Sequence, residues 1–194
     1  MRRFAHFGIQ KTTMNEIADD IKVTQPSLYY YFPDKTRLIV AVIEKILDEY
    51  FNAAKRQLED VSSLKDGFSK IITFRKLFTQ RYFMLQLDHI QNDSLLDEAC
   101  GEIMQAARKT EIEVVAGLIK DAIGRGELEH SDPERISSLY LDTITGLSMS
   151  IISREHKKIL LERELLDTVA DRQTELTEVF LKGLKYRESK ACKV

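Results

Sequence analysis

Glycine and proline are scarce in this chain, at 8 and 3 of 194 residues, and no segment holds a sustained period-two alternation. Turn punctuation and strand patterning are both thin, which excludes a sandwich or barrel of short strands. Cysteine is scarcer still. Cys100 and Cys192 stand far apart and match no metal-ligand spacing, so they read as a buried thiol and a tail thiol. The four histidines, His6, His89, His130 and His156, share no ligand spacing either. No metal and no other cofactor is expected. The longest wholly apolar run covers residues 38–43, far short of the ~20 residues that span a bilayer. Met1-Arg2-Arg3-Phe4 is not followed by the long apolar stretch of a secretory signal. Together with the isolated thiols, this gives a reducing cytoplasm as the expected setting. Phosphate-binding loops, dinucleotide glycine patterns and nucleophile elbows are missing. Ser62 and Lys65 match the letters of a serine-lysine pair but precede a helix with no accompanying motif.

What the chain does have is the material of a helical core. Hydrophobic residues make up 43% and charged residues 31%, and the apolar ones recur three and four apart almost everywhere. The stripe from Leu38 through Ile39, Val42, Ile43, Ile46, Tyr50 and Ala54 to Leu58 predicts a long amphipathic helix capped by Asp34. Ser63 predicts the cap of a following helix, and Asn92-Asp93-Ser94 the start of another stretch. A separate helix carries Ile103 to Ile123 and ends at Gly124 or Gly126. Asp132-Pro133 reads as a cap with proline in the first turn, opening a helix with Ile136, Leu139, Tyr140, Ile144, Leu147 and Ile151. A last helix carries Leu165 to Leu184. The expected fold is all-α, with about nine helices.

Charge is unevenly placed. Residues 1–37 hold six Lys/Arg against four acids, while the remainder holds 23 against 27. A mildly basic head on an acidic body favours a polyanion at one end.

That head contains the most informative segment. Thr13 with Glu16 three later forms a capping box for a short helix, with Ile17 and Ile21 expected on its buried side. After a break at Lys22-Val23, Thr24 caps a second short helix with Pro26 in its first turn. Leu28 and Phe32 point inward there, while Gln25 with Tyr29, and Pro26 with Tyr30, stack on the opposite face. Two short helices joined by a tight turn make a helix-turn-helix, whose second helix enters the major groove. Glutamine can donate and accept at an adenine edge, serine can bond either way, and a proline ring can pack on a thymine methyl. Tyrosine hydroxyls, Thr13 and Lys35 are groups that hold phosphates. Each tyrosine could instead be a half-buried structural aromatic, but Tyr29, Tyr30 and Tyr31 cannot all face one core.

The run from Val23 to Lys35 resembles the recognition helix and following turn of the tetracycline-repressor (TetR-like) family. Thr13-Met14-Asn15-Glu16-Ile17-Ala18 resembles that family's preceding helix, and Phe4-Ala5-His6-Phe7-Gly8 the end of its first helix. A further match runs from Gly126-Glu127-Leu128 to Asp132-Pro133-Glu134. The resemblance implies a helix-turn-helix DNA-binding domain over residues 1–47, with a first helix that looks cut short. Over residues 48–194 it implies a regulatory and dimerisation domain. It implies Gln25, Pro26, Ser27 and Tyr30 as base-reading positions, with Thr13, Thr24, Tyr29, Tyr31 and Lys35 on phosphates. The family usually has glycine where this chain has Lys22; a left-handed lysine there would cost about 1–2 kcal/mol.

These readings converge on a non-enzymatic repressor that binds a double-stranded operator as a homodimer and is released by a small apolar or aromatic effector. The effector would pull the dimer into a splayed state, with the helix after Asp34 as lever. Phe68, Phe74, Phe78, Tyr82, Phe83 and Met84, followed by Asp88 and His89, with Tyr140 from a later helix, could wall its pocket. The same stripe could instead simply be core. Leu147, Ile151, Leu176 and Phe180 are the expected dimer contacts, with Gly146 and Ser150 allowing close approach. A small-molecule enzyme and a helical protein-binding adaptor are the other classes. Neither needs two heads spaced by about one duplex turn, roughly 34–36 Å, as a repressor does.

Overall fold

A computed structural model describes residues 11–82, 94–129, 131–154 and 163–185. Among them are seven helices and no strand: α1 Met14–Asp20, α2 Gln25–Tyr31, α3 Lys35–Gln57, α4 Leu64–Tyr82, α5 Ser94–Gly124, α6 Pro133–Arg154 and α7 Arg163–Gly183. The chain divides into two compact units. One comprises Met1–Asn52 with Thr79–Ala107, the other Ala53–Phe78 with Arg108–Val194.

Local chemistry sets most helix ends. The Thr13 backbone N–H donates to the Glu16 carboxylate at 2.8 Å, and the Glu16 N–H donates back to the Thr13 hydroxyl at 3.3 Å. Two of the orphan donors at the start of α1 are thereby used. Thr24 accepts the Ser27 N–H at 3.3 Å, Asp34 the Arg37 N–H at 2.7 Å, and Asp132 the Glu134 and Arg135 N–H groups. Ser63 accepts the Asp66 N–H at 3.1 Å, as its position predicts. Asp66 in turn accepts the Ser62 N–H, which lowers its pKa.

Two expectations need correction. Ile21 is 55% exposed, and the buried side of α1 is Met14 and Ala18. The helix stops at Asp20, so Ile21 falls on the cap rather than on the stripe. The stretch from Ser94 and the helix carrying Ile103 to Ile123 are one helix of 31 residues. Gly101 and Gly117 are the breakers inside it, and each interior glycine costs only about 1 kcal/mol against alanine.

The second unit has a contiguous core of Leu64, Phe68, Ile71, Val115, Leu118, Ile119, Ala122, Leu128, Tyr140, Leu141, Ile144 and Leu181. Glu127, wholly buried, organises its edge. Its carboxylate accepts the Leu64 N–H at 2.7 Å and the Arg125 Nε–H at 2.6 Å. The start of α4 is thus capped from a residue 63 positions away. Gly126, at φ +75°, closes α5, with the Glu127 N–H donating to the Ala122 carbonyl at 2.9 Å.

Candidate nucleic-acid interface

In the first unit, α2 runs for two turns with one side held and the rest free. Leu28 is 4% exposed, and Phe32 at the C-cap is half-buried. Gln25, Pro26, Ser27, Tyr29, Tyr30 and Tyr31 are all exposed. The most exposed is Tyr30, at 82%. Tyr30 and Tyr31 meet edge to face, with ring centroids 5.2 Å apart, so each limits the other's swing. Backbone constraint keeps α1 and α2 in register. The Val23 N–H donates to the Ala18 carbonyl at 3.0 Å and the Lys22 N–H to the Asp19 carbonyl at 3.1 Å. Together with φ +57° at Lys22, this is a left-handed helix stop.

The proposed phosphate-holding groups differ in availability. Thr24 is exposed, and its hydroxyl, which accepts from Ser27, keeps its own proton to donate. Thr13 is exposed but already donates to Glu16 at 2.8 Å, so it must turn to reach a phosphate. Lys35 is half-buried, in the first turn of α3.

The second unit separates the pocket candidates. Phe68 and Tyr140 are stacked, centroids 4.0 Å apart and planes at 11°, and both are fully buried. The Tyr140 hydroxyl pairs with that of Thr177 at 2.8 Å, and Thr177 also donates to the Gln173 carbonyl at 2.7 Å. These two aromatics fill the core and leave no face for a ligand. Phe74 and Phe78 are half-buried, with centroids 5.9 Å apart. Phe83, Met84, Asp88 and His89 lie outside the described residues, as does the Tyr82 side chain. Sequence reading missed the polar groups nearby. Arg75 pairs with Glu111 and donates to the Thr145 hydroxyl at 3.2 Å, while Arg108 binds Asp142 and the Ser138 carbonyl. These bonds tie α4, α5 and α6 together.

Leu147 and Ile151 are half-buried on α6. Leu176 and Phe180 on α7 pack partly against their own core, with the Phe180 ring 5.2 Å from Tyr140. The outward apolar residues are others: Leu139 and Met149 on α6, and Val179 on α7. Gly146 shares the outer side of α6, and nothing stands within 4 Å of where its Cβ would be. Spacing of seven and three from Leu139 to Gly146 and Met149 was the available signal. Among the described residues no cluster of His, Cys, Asp or Glu suits a metal, and no helix is long and apolar enough to cross a membrane.

Residues 1–42 match the family model of bacterial regulatory proteins of the tetR family. The chain is 27% identical over 137 residues to the HTH-type transcriptional regulator RutR of Escherichia coli strain K12, covering 69% of this chain. It spans 62% of that relative's length, less than two thirds. Over 59 residues, 29% of each chain, it is 39% identical to the nucleoid occlusion factor SlmA of Actinobacillus pleuropneumoniae. A transcriptional regulator from Cytophaga hutchinsonii has the same fold, with TM-score 0.80, 27% identity and coverage of 94% and 93%. A TetR transcription regulator from Haloarcula marismortui aligns at TM-score 0.75 with 16% identity, covering 94% and 92%. Helix-turn-helix geometry and these likenesses agree: residues 1–42 match the tetR family of bacterial regulatory proteins, and the all-helical fold is that of the transcriptional regulator from Cytophaga hutchinsonii.

Proposed function

We propose that this chain is a DNA-binding transcriptional regulator, working as a cytoplasmic homodimer and released from its operator by a small ligand. The observation that carries the reading is α2. It is held by buried Leu28 and offers Gln25, Pro26, Ser27 and Tyr30 to solvent on a short, capped helix. That is the shape and side-chain chemistry of a major-groove reader. Tyr29, Tyr31 and Thr24 flank it as phosphate-holding groups, with Lys35 at the next helix start and Thr13 at the start of α1.

Two copies would meet through the outer faces of α6 and α7, with Leu139, Met149 and Val179 covered and Leu147 and Ile151 at the margin. Exposed apolar residues sharing a helix side with a glycine suit a close helix–helix contact. The effector would sit against Phe74 and Phe78, on the side of the core where Arg75 and Glu111 supply polar groups. An apolar wall with a few polar groups is the usual composition of such a site. Selection of bound duplexes from a random pool tests the reading directly. Enrichment of a two-fold symmetric sequence, with half-sites about one helical turn apart, is expected. Failure to enrich any duplex at low salt would reject it.

A further inference from the structure

Between residues 12 and 34 the chain carries four carboxylates, Glu16, Asp19, Asp20 and Asp34, and a single basic residue, Lys22. Counting Lys35, which the reading above also places on a phosphate, acids still outnumber bases over residues 12–35, so Lys22 is one of few positive charges beside α2 within a head that is mildly basic as a whole. Lys22 is exposed in the turn between α1 and α2, two residues before the Thr24 cap. Its backbone stands at φ +57°, where glycine meets no steric penalty and a side-chain-bearing residue does. The turn's hydrogen bonds, from Lys22 to Asp19 and from Val23 to Ala18, are made by backbone atoms alone. Glycine would close the turn equally well. The turn requires the left-handed backbone but not a side chain, and a lysine kept where glycine is favoured is a reason to look for a role.

We propose that Lys22 holds a DNA backbone phosphate beside the reading helix, one contact per protomer that glycine in this turn could not make. The proposal rests on the DNA-binding reading above. A lysine is a compact point charge on a flexible stem, suited to phosphate without base preference. A positive charge there also counters the acidic end of α1, Asp19-Asp20. Offsetting the carbonyl end of α1 is the purely local alternative, and it predicts no change in DNA binding once the chain is folded.

The test uses the full chain and the duplex enriched by random-pool selection, with fluorescence anisotropy from about 50 to 300 mM salt. Lys22→Gly and Lys22→Gln should each weaken binding about fivefold per engaged protomer near 0.15 M salt, on every duplex alike. Each should flatten the salt slope by about 0.9 per protomer. Lys22→Arg should keep both affinity and slope. Thermal unfolding should find Lys22→Gly at least as stable as the parent, so its binding loss is not a folding loss. Lys185 supplies a matched control. It closes α7 at φ +54°, its N–H donating to the Lys182 carbonyl at 3.1 Å. Lys185→Gly relaxes the same kind of backbone and should leave DNA affinity unchanged. Parental affinity and slope in both Lys22→Gly and Lys22→Gln would overturn the proposal. So would a loss in Lys22→Gly that Lys22→Gln does not share, because conformation and not charge would then be the cause. If only the Lys22 variants behave this way, the DNA-binding reading stands; if the parent chain selects no duplex, both fall.

Discussion

Removing the Tyr140 hydroxyl should change how stability depends on alkaline pH, in a way that isolates one atom of the core. Burial pushes the phenol up from its usual 10.0 to about 12, partly offset by the Thr177 hydrogen bond and the Arg75 charge. In the unfolded chain the phenol ionises near 10.0, while in the folded chain it stays neutral until about 12. Its contribution to stability is therefore complete below pH 10 and is lost as pH rises toward 12. At pH 11 a raised pKa of that size favours unfolding by about a factor of ten, ~1.4 kcal/mol. Tyr140→Phe removes this linkage along with the bond to Thr177, whose hydroxyl still donates to Gln173. Near pH 8 the variant should be less stable by about 1 kcal/mol, the worth of one such bond. The two proteins should converge above pH 10 and reach similar stability near pH 11. Other tyrosines and lysines titrate in the same range, but they do so in both proteins and cancel in the difference. The assay is urea unfolding of both chains at half-unit intervals from pH 8 to 11. A gap that stays constant across that range would refute the buried-phenol argument.

Gln25→Ala should cost about 1–3 kcal/mol on the preferred operator and relax base preference at one position per half-site. Lys35→Ala should weaken all duplexes alike, and equal sequence-independent losses from both variants would show that Gln25 reads no base. Met149→Glu puts a charge on an outward position and should give folded monomers by sedimentation, whereas Phe180→Glu, whose ring packs on Tyr140, should unfold the chain. A folded dimer from Met149→Glu would move the interface off this face. Glu127→Ala deprives the Leu64 N–H and Arg125 of their shared carboxylate and should destabilise by about 3 kcal/mol in urea; a loss under 1 kcal/mol would mean that water replaces the cap.

How much of this was legible beforehand depends on how far along the chain each signal reaches. The capping box at Thr13, the Thr24 and Asp34 caps and the Asp132-Pro133 start all act within five residues. Reading neighbouring letters was enough to place them. The reading helix was also legible, because Leu28 and the outward Gln25, Pro26 and Ser27 follow from a 3.6-residue period on a short segment. Periodicity could not say which partner an apolar stripe meets. Phe68 and Tyr140 lie 72 positions apart and look like either pocket wall or core; only their stacking settles them as core. Phe180 shares its helix with Val179, and only contact with Tyr140 turns one inward while the other faces out. Glu127 as the cap of α4, and Arg75 bridging Glu111 and Thr145, join residues whose separation in sequence carries no pattern. Local hydrogen bonds are short-range and written in adjacent residues; burial is decided by whichever distant helix arrives to exclude the water.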